Sequence, residues 1–266
     1  MIEVIAEIGW NHMGDMALAE KMIKAASESG AAYAKFQTWS VDRLKAGDWD
    51  ADGRRQIYEN AELTVDDHRH LIGICKKHNI KFLSSVFSID DAKLLVSLGI
   101  KEVKIPSFEC RNSALLSYCN KSFDKIFMST GTSTWDEISS SCKLLCDVNL
   151  VLMHCVSSYP CDPAIANIRK LENLKTITKN IGYSDHIFGV ESAKVAMKYD
   201  VCAIEKHFTI DHNLPGRDNK FAILPHELKN LCDYIHMHEQ MHIWHGLDFL
   251  EQERSSREFY TGRFNK

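Results

Sequence analysis

Residues 2–37, IEVIAEIGWNHMGDMALAEKMIKAASESGAAYAKFQ, contain two short apolar runs with a longer amphipathic run between them. The outer runs, IEVIAEIG and AYAKFQ, have the length and apolar content of buried strands. Between them Leu18, Met22 and Ala26 recur every four residues, which gives a helix one apolar face. Gly30 lies where that helix should stop. The stretch therefore predicts a strand, a helix and a second strand in succession.

The same alternation continues along the chain. Strand-like runs occupy residues 2–9, 32–37, 80–87, 100–107, 124–130, 149–155, 180–184 and 201–208. Helical candidates occupy residues 15–29, 64–78, 89–98, 111–120, 133–146, 164–178, 187–199 and 225–242. Eight strands that are each followed by a helix, with no break in composition, predict a single-domain (β/α)8 TIM barrel of the α/β class. An open doubly wound sheet is the alternative, but the sequence has no glycine-rich dinucleotide-binding turn.

Local signals refine this prediction. We expect the barrel to occupy residues 1–250 and a C-terminal extension to occupy residues 251–266. Residues 38–62 form one long stretch rich in charged and aromatic side chains, which predicts a loop that serves as a lid. Capping boxes at helix starts are predicted at Thr64–Asp67, Ser88–Asp91 and Ser133–Asp136.

Composition excludes several classes of protein. The net charge of −4, without a basic run, argues against a nucleic-acid-binding protein. The N-terminal run carries Glu3 and Glu7 and lacks a basic segment, so it does not resemble a signal peptide. The apolar runs are too short to span a membrane. Nine cysteines without a C-x-x-C pair indicate reduced thiols and a cytoplasmic protein.

Residues 238–246, HEQMHIWHG, contain the H-E-x-x-H sequence that holds zinc in many metalloproteases. We expect this stretch at the end of the eighth helix or just past it, on the outer ring of the barrel and away from the strand ends. The longer metzincin pattern fails, because position 245 is histidine and the glycine follows one residue late. The histidine-rich run from His236 to His245 is therefore interpreted as surface or subunit contact.

Polar side chains end all eight predicted strands, and in a barrel the carboxyl ends of the strands carry the chemistry. In chain order these residues are Glu7, Lys35, Gln37, Ser84, Ser85, Lys104, Ser107, Glu109, Ser129, Thr130, His154, Tyr159, Ser184, Asp185, His186, Glu205, Lys206 and His207. Any one of them is most simply a solvated strand end. Eight polar ends together favour an active site.

The residue types narrow the chemistry. Two lysines, several hydroxyls and the backbone N–H groups of STGT (129–132) suit a phosphate and a carboxylate together. His186 and His207, on adjacent strands, could share a divalent ion. Glu7 and Glu109 could form an acid/base pair, and Asp218 could reach in from a loop. From the residues alone we predict a metal-assisted lyase or transferase that acts on a small phosphorylated anion.

The strand-end sequences resemble the sialic acid synthase family, the phosphoenolpyruvate-dependent enzymes that make nonulosonic acids. Eight segments match in family order: AEIGWNHMG (6–14), KFQTW (35–39), VKIPSFE (103–109), MSTGT (128–132), HCVSSYP (154–160), GYSDH (182–186), EKHFTID (205–211) and PGRDNKF (215–221). The resemblance covers the barrel from end to end. It implies a transferase that condenses phosphoenolpyruvate with an aldose such as N-acetylmannosamine and releases phosphate.

The resemblance also implies residue roles. Phosphoenolpyruvate would be held by Lys35, Ser85, Lys104, Ser107, Ser129 and Ser184. His186 and His207 would bind a divalent metal that positions and polarises the sugar aldehyde, with Mn²⁺ better matched to imidazole than Mg²⁺. The catalytic carboxylates would be Glu7, Glu109 and Asp218. The sugar would be contacted by Gln37, Tyr159 and Asp218.

The chain also departs from the family pattern. It is expected to lack the C-terminal antifreeze-like domain, so a homodimer is expected only through the resemblance. Arg217 stands where the family has proline; it is either solvated or a sugar-binding cation that indicates a more acidic acceptor. Ser85 and the last residue of STGT are milder changes. The acceptor is therefore left open among N-acetylmannosamine, a diacetamido hexose, a phosphorylated hexosamine and a plain aldose.

Two other functions use the same barrel. A metal-dependent pyruvate aldolase would need no phosphate site, so phosphate release from phosphoenolpyruvate separates it from the synthase. A catalytically inactive barrel subunit is the other alternative. Glu7, Lys104, His186 and His207 argue against it, because an inactive copy has no chemical need for them together.

Overall fold

The computed structural model describes residues 2–264, apart from the side chain of Trp49. Its eight strands are all parallel and close a barrel in sequence order, with β8 paired to β1. The strands are β1 (Glu3–Gly9), β2 (Tyr33–Thr38), β3 (Lys81–Val86), β4 (Glu102–Ile105), β5 (Lys125–Ser129), β6 (Asn149–His154), β7 (Ile181–Asp185) and β8 (Ala203–His207). The predicted (β/α)8 barrel is confirmed.

Helices surround the strands. They are α1 (Met16–Glu28), α2 (Arg54–Ala61), α3 (Val65–Lys77), α4 (Ile89–Ser97), α5 (Ser113–Ser122), α6 (Trp135–Cys142), α7 (Lys170–Leu174), α8 (Glu191–Ala196), α9 (Pro225–Met241) and α10 (Arg254–Tyr260). Three predicted helices are much shorter than expected, and one of them, predicted at 133–146, is α6 alone. The predicted helix 164–178 is α7 alone, after a separate 3-10 turn at Pro163–Ile165, and the predicted helix 187–199 is α8 with a 3-10 turn at Met197–Tyr199.

The helix ends follow local capping chemistry. Asp15 caps α1 by accepting hydrogen bonds from the N–H groups of Ala17 and Leu18, and Gly30 leaves the helix with φ +94°. The capping box at Thr64–Asp67 is confirmed. At Ser88 the cap forms, since its hydroxyl accepts from the Asp91 N–H, but the Asp91 carboxylate accepts from the Phe87 N–H instead of completing the box.

The third predicted box is one residue out of register. Thr134 and Glu137, not Ser133 and Asp136, form the box at the start of α6. Ser133 is used elsewhere, because its hydroxyl donates to the carbonyl of Gly131 at 3.3 Å. The sequence STWDE permits both registers, and the turn that precedes the helix selects the second.

The strand alternation sorts side chains between the barrel interior and the surrounding helices. An apolar layer fills the middle of the interior, made by Ile5, Tyr33, Leu83, Phe127, Val151, Met153 and Ala203. Residues of the opposite parity face the helices and join the larger apolar core. The interior is therefore a packed core and not a channel.

Below this layer, an ion network closes the amino end of the barrel. The Tyr33 hydroxyl donates to Glu3 at 2.9 Å, Lys81 bonds Glu102 at 3.1 Å, and Lys125 contacts Glu3 directly. Charged and polar groups here satisfy one another across five strands, β1 to β5. The amino end is filled, so ligands have access from the carboxyl end.

The C-terminal segment adds nothing to the barrel core. Every described residue from 240 to 264 is exposed, and Leu247 reaches 92%. The boundary at residue 250 stays a prediction. Among the described helices, none has both the length and the apolar character that crossing a membrane requires.

Candidate active site

A ring of four buried ions lies on the carboxyl side of the apolar layer. Lys35 contacts Glu7 directly, and its Nζ lies 3.7 Å from Oε2 of Glu205. Lys104 donates to both oxygens of Glu205, at 2.9 and 2.8 Å. Strand register explains the arrangement, because Glu7 pairs with Lys35 on one side and with His207 on the other. Two lysines and two carboxylates balance each other in a low-dielectric setting.

Hydroxyl and amide groups surround the ring. Lys35 donates to the Ser85 hydroxyl at 3.0 Å, and Ser184 donates to Glu205 at 2.7 Å. Gln37 donates to Glu7 at 2.8 Å. Ser129 ends β5 and is buried. Donors that suit an anion are thus already concentrated around two lysines.

Burial controls the charge states of the ring. It lowers the pKa of Lys35 to about 7, with Glu205 opposing this change and Lys104 adding to it. Burial alone would raise the pKa of Glu205, but Lys104 and Lys35 hold it well below its usual range. At neutral pH Glu205 is therefore ionised, and Lys35 titrates near physiological pH.

A cradle of small polar groups forms above β4, β5 and β6. A Cβ on Gly131 would lie 2.4 Å from Ser157 Oγ, 2.7 Å from Ser107 Oγ and 2.9 Å from Cys155 Sγ. Ser157 Oγ is buried without a hydrogen-bond partner in the described part of the chain. Thr132, a β-branched residue, adopts φ +57° in the same turn. The backbone strain at Thr132 and the unpaired hydroxyl of Ser157 thus lie close together, as is common where a turn binds a ligand.

Two histidines lie nearer the mouth, with ring centroids 5.5 Å apart. The Nδ1 of His186 bonds the carbonyl of Val156 at 2.7 Å, which leaves Nε2 without a proton. Burial and the neighbouring His207 lower the pKa of His186 to about 3, so this ring is neutral. In His207, Nδ1 is buried without a hydrogen bond and lies 3.3 Å from Oδ2 of Asp218.

An aromatic wall stands beside the histidines. The Tyr159 ring is 47% exposed and lies 4.2 Å from the His186 ring and 5.9 Å from the His207 ring, between centroids. Phe221 packs on His207 at 5.0 Å. The wall gives the mouth one apolar side and leaves Asp218 on the polar side.

Two predicted site residues lie outside these groups. Glu109 is half-buried on a 3-10 turn after β4 and accepts from the Asn112 amide at 2.8 Å; within residues 2–264 it makes no bond to the ion ring. Arg217 is exposed beside Asp218, and the described residues offer it neither a hydrogen bond nor an ion pair. The structure thus brings together the lysines, serines, Glu7, Gln37, the histidines, Tyr159 and Asp218.

Glu205 is the residue that sequence reasoning missed. Its position makes it a polar strand end, but residue type alone assigns it no role. Its direction could have been read from the alternation of β8, because a residue two positions before the inward-facing His207 must also face inward. No sequence pattern predicts the cradle around Gly131, because its members come from three separate loops.

The predicted lid has internal structure. It contains α2, whose Tyr58 packs edge-on against Trp10 and Trp39 at centroid distances of 5.1 and 5.4 Å. A Cβ on Gly14 would lie 2.2 Å from the carbonyl oxygen of Asn60, so α2 sits directly on the loop after β1. Residues 38–62 are therefore anchored against the loop after β1, and their role as a lid stays a prediction.

The H-E-x-x-H stretch lies at the end of α9, on the outer ring as expected. The His238 and His242 rings stack 3.9 Å apart at the surface. Glu239 accepts a hydrogen bond from the Ile2 N–H at 2.6 Å, at the amino end of β1. That end is opposite the ion ring. Across residues 2–264, three or more His, Cys, Asp or Glu side chains are nowhere grouped closely enough to hold a metal ion by themselves.

The NeuB family profile matches residues 22–243. N,N'-diacetyllegionaminic acid synthase of Campylobacter jejuni is 38% identical over 250 residues, which are 87% of this chain and 75% of that protein. The enzyme of the same name from Legionella pneumophila is 34% identical over 252 residues, covering 87% of this chain and 70% of that protein.

A solved structure matches the whole chain. The crystal structure of N-acetylneuraminic acid synthetase from Leptospira borgpetersenii, in complex with citrate, has a TM-score of 0.86 and 29% sequence identity. The match covers 100% of this chain and 93% of that one. Sequence and fold similarity thus extend over the same barrel that carries the ion ring.

Proposed function

The chain belongs to the NeuB family, and we propose that it condenses phosphoenolpyruvate with an aldose to form a nonulosonic acid, releasing phosphate. It is a transferase of the sugar-acid synthase type. Its substrates are small molecules; the homodimer and the cytoplasmic location stay predictions. The relatives reported above are named for N,N'-diacetyllegionaminic acid, so a diacetamido hexose is the first acceptor to test.

The ion ring is the observation that carries this proposal. Phosphoenolpyruvate carries a carboxylate and a phosphate on the same carbon, C2, so two cations with hydroxyl donors between them suit it. Lys35 and Lys104 face the same interior and share Glu205, with Ser85 and Ser184 beside them. In the free protein the carboxylate of Glu205 accepts from Lys104 and Ser184, and it occupies the place that an anionic ligand would take. Ser107 and Ser129 extend the donor set toward the Gly131 cradle.

His186 and His207 fit a divalent metal. His186 presents a neutral Nε2, which is the state that a metal ligand requires. His207 has a buried Nδ1 without a hydrogen bond, so the site leaves a polar atom unsatisfied. Two imidazoles leave further positions to water and substrate, and they match Mn²⁺ better than Mg²⁺. When bound there, a divalent ion supplies a Lewis acid for the aldehyde oxygen.

The other steps of the proposed reaction are assigned to protein side chains. C3 of the enol forms the new bond to the aldehyde carbon, and a water adds at C2. The tetrahedral intermediate then loses phosphate by cleavage of the C–O bond. Glu7, held by Gln37 and Lys35, and Glu109, on the loop above β4, are the carboxylates proposed to take the proton of that water. Tyr159, Gln37 and Asp218 orient the sugar.

Phosphate release from phosphoenolpyruvate tests this function. The assay uses a panel of acceptors with Mn²⁺ or with a chelator: N-acetylmannosamine, a 2,4-diacetamido hexose, a phosphorylated hexosamine and a plain aldose. Release that requires both an acceptor and the metal is expected. If no acceptor supports release while free pyruvate condenses with an aldose, the aldolase function replaces this one.

The affinity for phosphoenolpyruvate should depend on pH through Lys35. Burial lowers the pKa of this lysine to about 7, so the cation is present below that pH and is lost above it. We expect KM for phosphoenolpyruvate to rise as the pH increases from about 6.5 to 8.5, by up to about tenfold per unit at the upper end. A Lys35→Met series, measured in the same buffers, subtracts the ionisation of the substrate itself. If KM rises equally steeply with pH in Lys35→Met, the pH dependence belongs to another group.

Gly131→Ala should weaken phosphoenolpyruvate binding. The new methyl group would overlap Ser157 Oγ, Ser107 Oγ and Cys155 Sγ, and it would fill the cradle. We expect KM for phosphoenolpyruvate to rise about 10- to 100-fold, because ligand groups shifted by an ångström lose their alignment. Gly73→Ala is the matched control: it lies within α3, its Cβ meets nothing within 4 Å, and helix propensity predicts about 0.5–1 kcal/mol of added stability with unchanged KM.

A further inference from the structure

The two histidines proposed to bind metal come from different strands, just where the pairing between those strands ends. The ladder of β7 and β8 has its last pair at Asp185 and Lys206. His186 and His207 are the next residue on each strand. The backbone pairing of β7 and β8 therefore brings the two residues close together, and it leaves the orientation of the two rings to side-chain contacts.

His207 is held from its other side. It pairs with Glu7 in the β1·β8 ladder, and the following N–H, of Phe208, donates to the Glu7 carbonyl at 2.8 Å. The His207 carbonyl accepts from the Ile223 N–H at 2.8 Å. The backbone of His207 is thus part of the barrel wall.

His186 is fixed to the loop after β6. Its ring bonds the Val156 carbonyl at 2.7 Å, and its own carbonyl accepts from the Cys161 N–H at 2.9 Å. Neither contact involves β8. Beyond the paired backbones of Asp185 and Lys206, any further connection between His186 and β8 must come from side chains.

The side chain of Lys206 supplies such a connection behind the histidines. Its ammonium group donates to Asp185 Oδ2 at 3.0 Å and to the Ile187 carbonyl at 2.5 Å. Asp185 Oδ1 accepts from the Ile187 N–H at 2.9 Å, and Ser192 donates to Oδ2 at 2.5 Å. One side chain of β8, Lys206, therefore makes hydrogen bonds to the residues on both sides of His186.

These groups cannot touch a substrate. Lys206 and Asp185 are each 1% exposed and face α8, on the opposite side of the barrel wall from Glu205 and His207. We propose that Lys206, through Asp185 and Ile187, is a positioning residue that holds His186 at the metal-binding distance from His207. This inference rests on the metal site of the proposed function. Supporting residues of this kind commonly change metal affinity 10- to 100-fold.

Metal titration tests the proposal without using turnover. Mn²⁺ binding to the full chain is measured by calorimetry and by electron paramagnetic resonance, in the absence of phosphoenolpyruvate and acceptor. Lys206→Met should weaken Mn²⁺ binding about 10- to 100-fold, while the dissociation constant for phosphoenolpyruvate changes less than about twofold. Ser192→Ala, which removes one hydrogen bond to Asp185, should weaken Mn²⁺ binding in the same direction by less. It keeps the test open if Lys206→Met does not fold.

Lys104→Met is the matched control. It removes a second buried lysine, 2% exposed, from the inner face of the wall, so it should lose phosphoenolpyruvate binding and keep Mn²⁺ binding. Unchanged Mn²⁺ affinity in both Lys206→Met and Ser192→Ala would overturn the proposal. So would an equal loss of both ligands, since that is the result of a purely structural role.

Different results would overturn the positioning role of Lys206 and the proposed condensation. If the wild-type chain releases phosphate with an acceptor but binds no Mn²⁺, the positioning role is overturned and the condensation stands. If it binds Mn²⁺ with the expected dependence on Lys206 but never releases phosphate, the positioning role stands and the condensation is wrong.

Discussion

Lys104→Met should reduce kcat/KM for phosphoenolpyruvate about 100-fold or more. Lys104 makes two hydrogen bonds to Glu205 and lies against Met153, so its ammonium group is held in place within the ion ring. Truncating one partner of a buried, hydrogen-bonded charge pair costs about 2–5 kcal/mol, and 1.4 kcal/mol corresponds to a factor of ten. The loss should appear in direct binding of phosphoenolpyruvate as well as in phosphate release.

A comparison of Lys206→Met with Lys104→Met separates the effect on phosphoenolpyruvate binding from the effect on stability. Both lysines are buried against a buried carboxylate, and breaking such a pair costs about 3–5 kcal/mol of folding free energy. Urea denaturation should show a loss in both variants, smaller for Lys104→Met because Lys35 remains 3.7 Å from Glu205. Weak phosphoenolpyruvate binding in both variants would mean that global stability, and not the ring, controls the site.

His207→Ala should lower acceptor-dependent phosphate release about 1,000-fold and abolish its response to added Mn²⁺. Removal of one of two imidazoles leaves His186 as the single protein nitrogen at the proposed metal site, and it frees Asp218 from its neighbour at 3.3 Å. Loss of Lewis-acid stabilisation at a developing oxyanion commonly costs several kcal/mol. Initial rates with and without a chelator measure the effect.

His238→Ala is the control for that experiment. It removes a histidine from the H-E-x-x-H stretch on the outer ring, where the ring contacts His242 at the surface. Its rates and Mn²⁺ response should match those of the wild type. A loss of activity in His238→Ala comparable to that in His207→Ala would move the metal site to α9.

The fold was predictable because its signals are local and repeated. Strand length, the apolar stripe of α1 and the glycine stop at Gly30 need no tertiary information. Helix α2 was missed for the opposite reason. Its sequence RRQIYENA buries only Ala61, and it is held by Tyr58 against Trp10 and Trp39, which are distant in sequence. Tertiary contacts, and not an amphipathic pattern, stabilise that helix.

The site was predictable residue by residue but not as a network. Residue type and strand-end position selected Lys35, Lys104 and the serines, and these do meet in the barrel. The alternation of β8 indicates that Glu205 faces inward, but which group balances the lysines became evident only from the contacts of Glu205. The outward-facing Asp185 and Lys206 belong to the same strand ends, yet they bond each other behind the wall.

The filled amino end of the barrel bears on the order in which substrates add. The apolar layer and the network of Glu3, Tyr33 and Lys125 close that end, so both substrates pass through the mouth. Glu205, bonded to Lys104 and close to Lys35, precedes His207 by two residues on β8 and so lies deeper in the barrel, and a sugar seated at the histidines would obstruct the path to it. Steady-state kinetics should therefore be compulsory-order, with phosphoenolpyruvate adding first. A non-reactive acceptor analogue should then inhibit uncompetitively against phosphoenolpyruvate and competitively against the sugar.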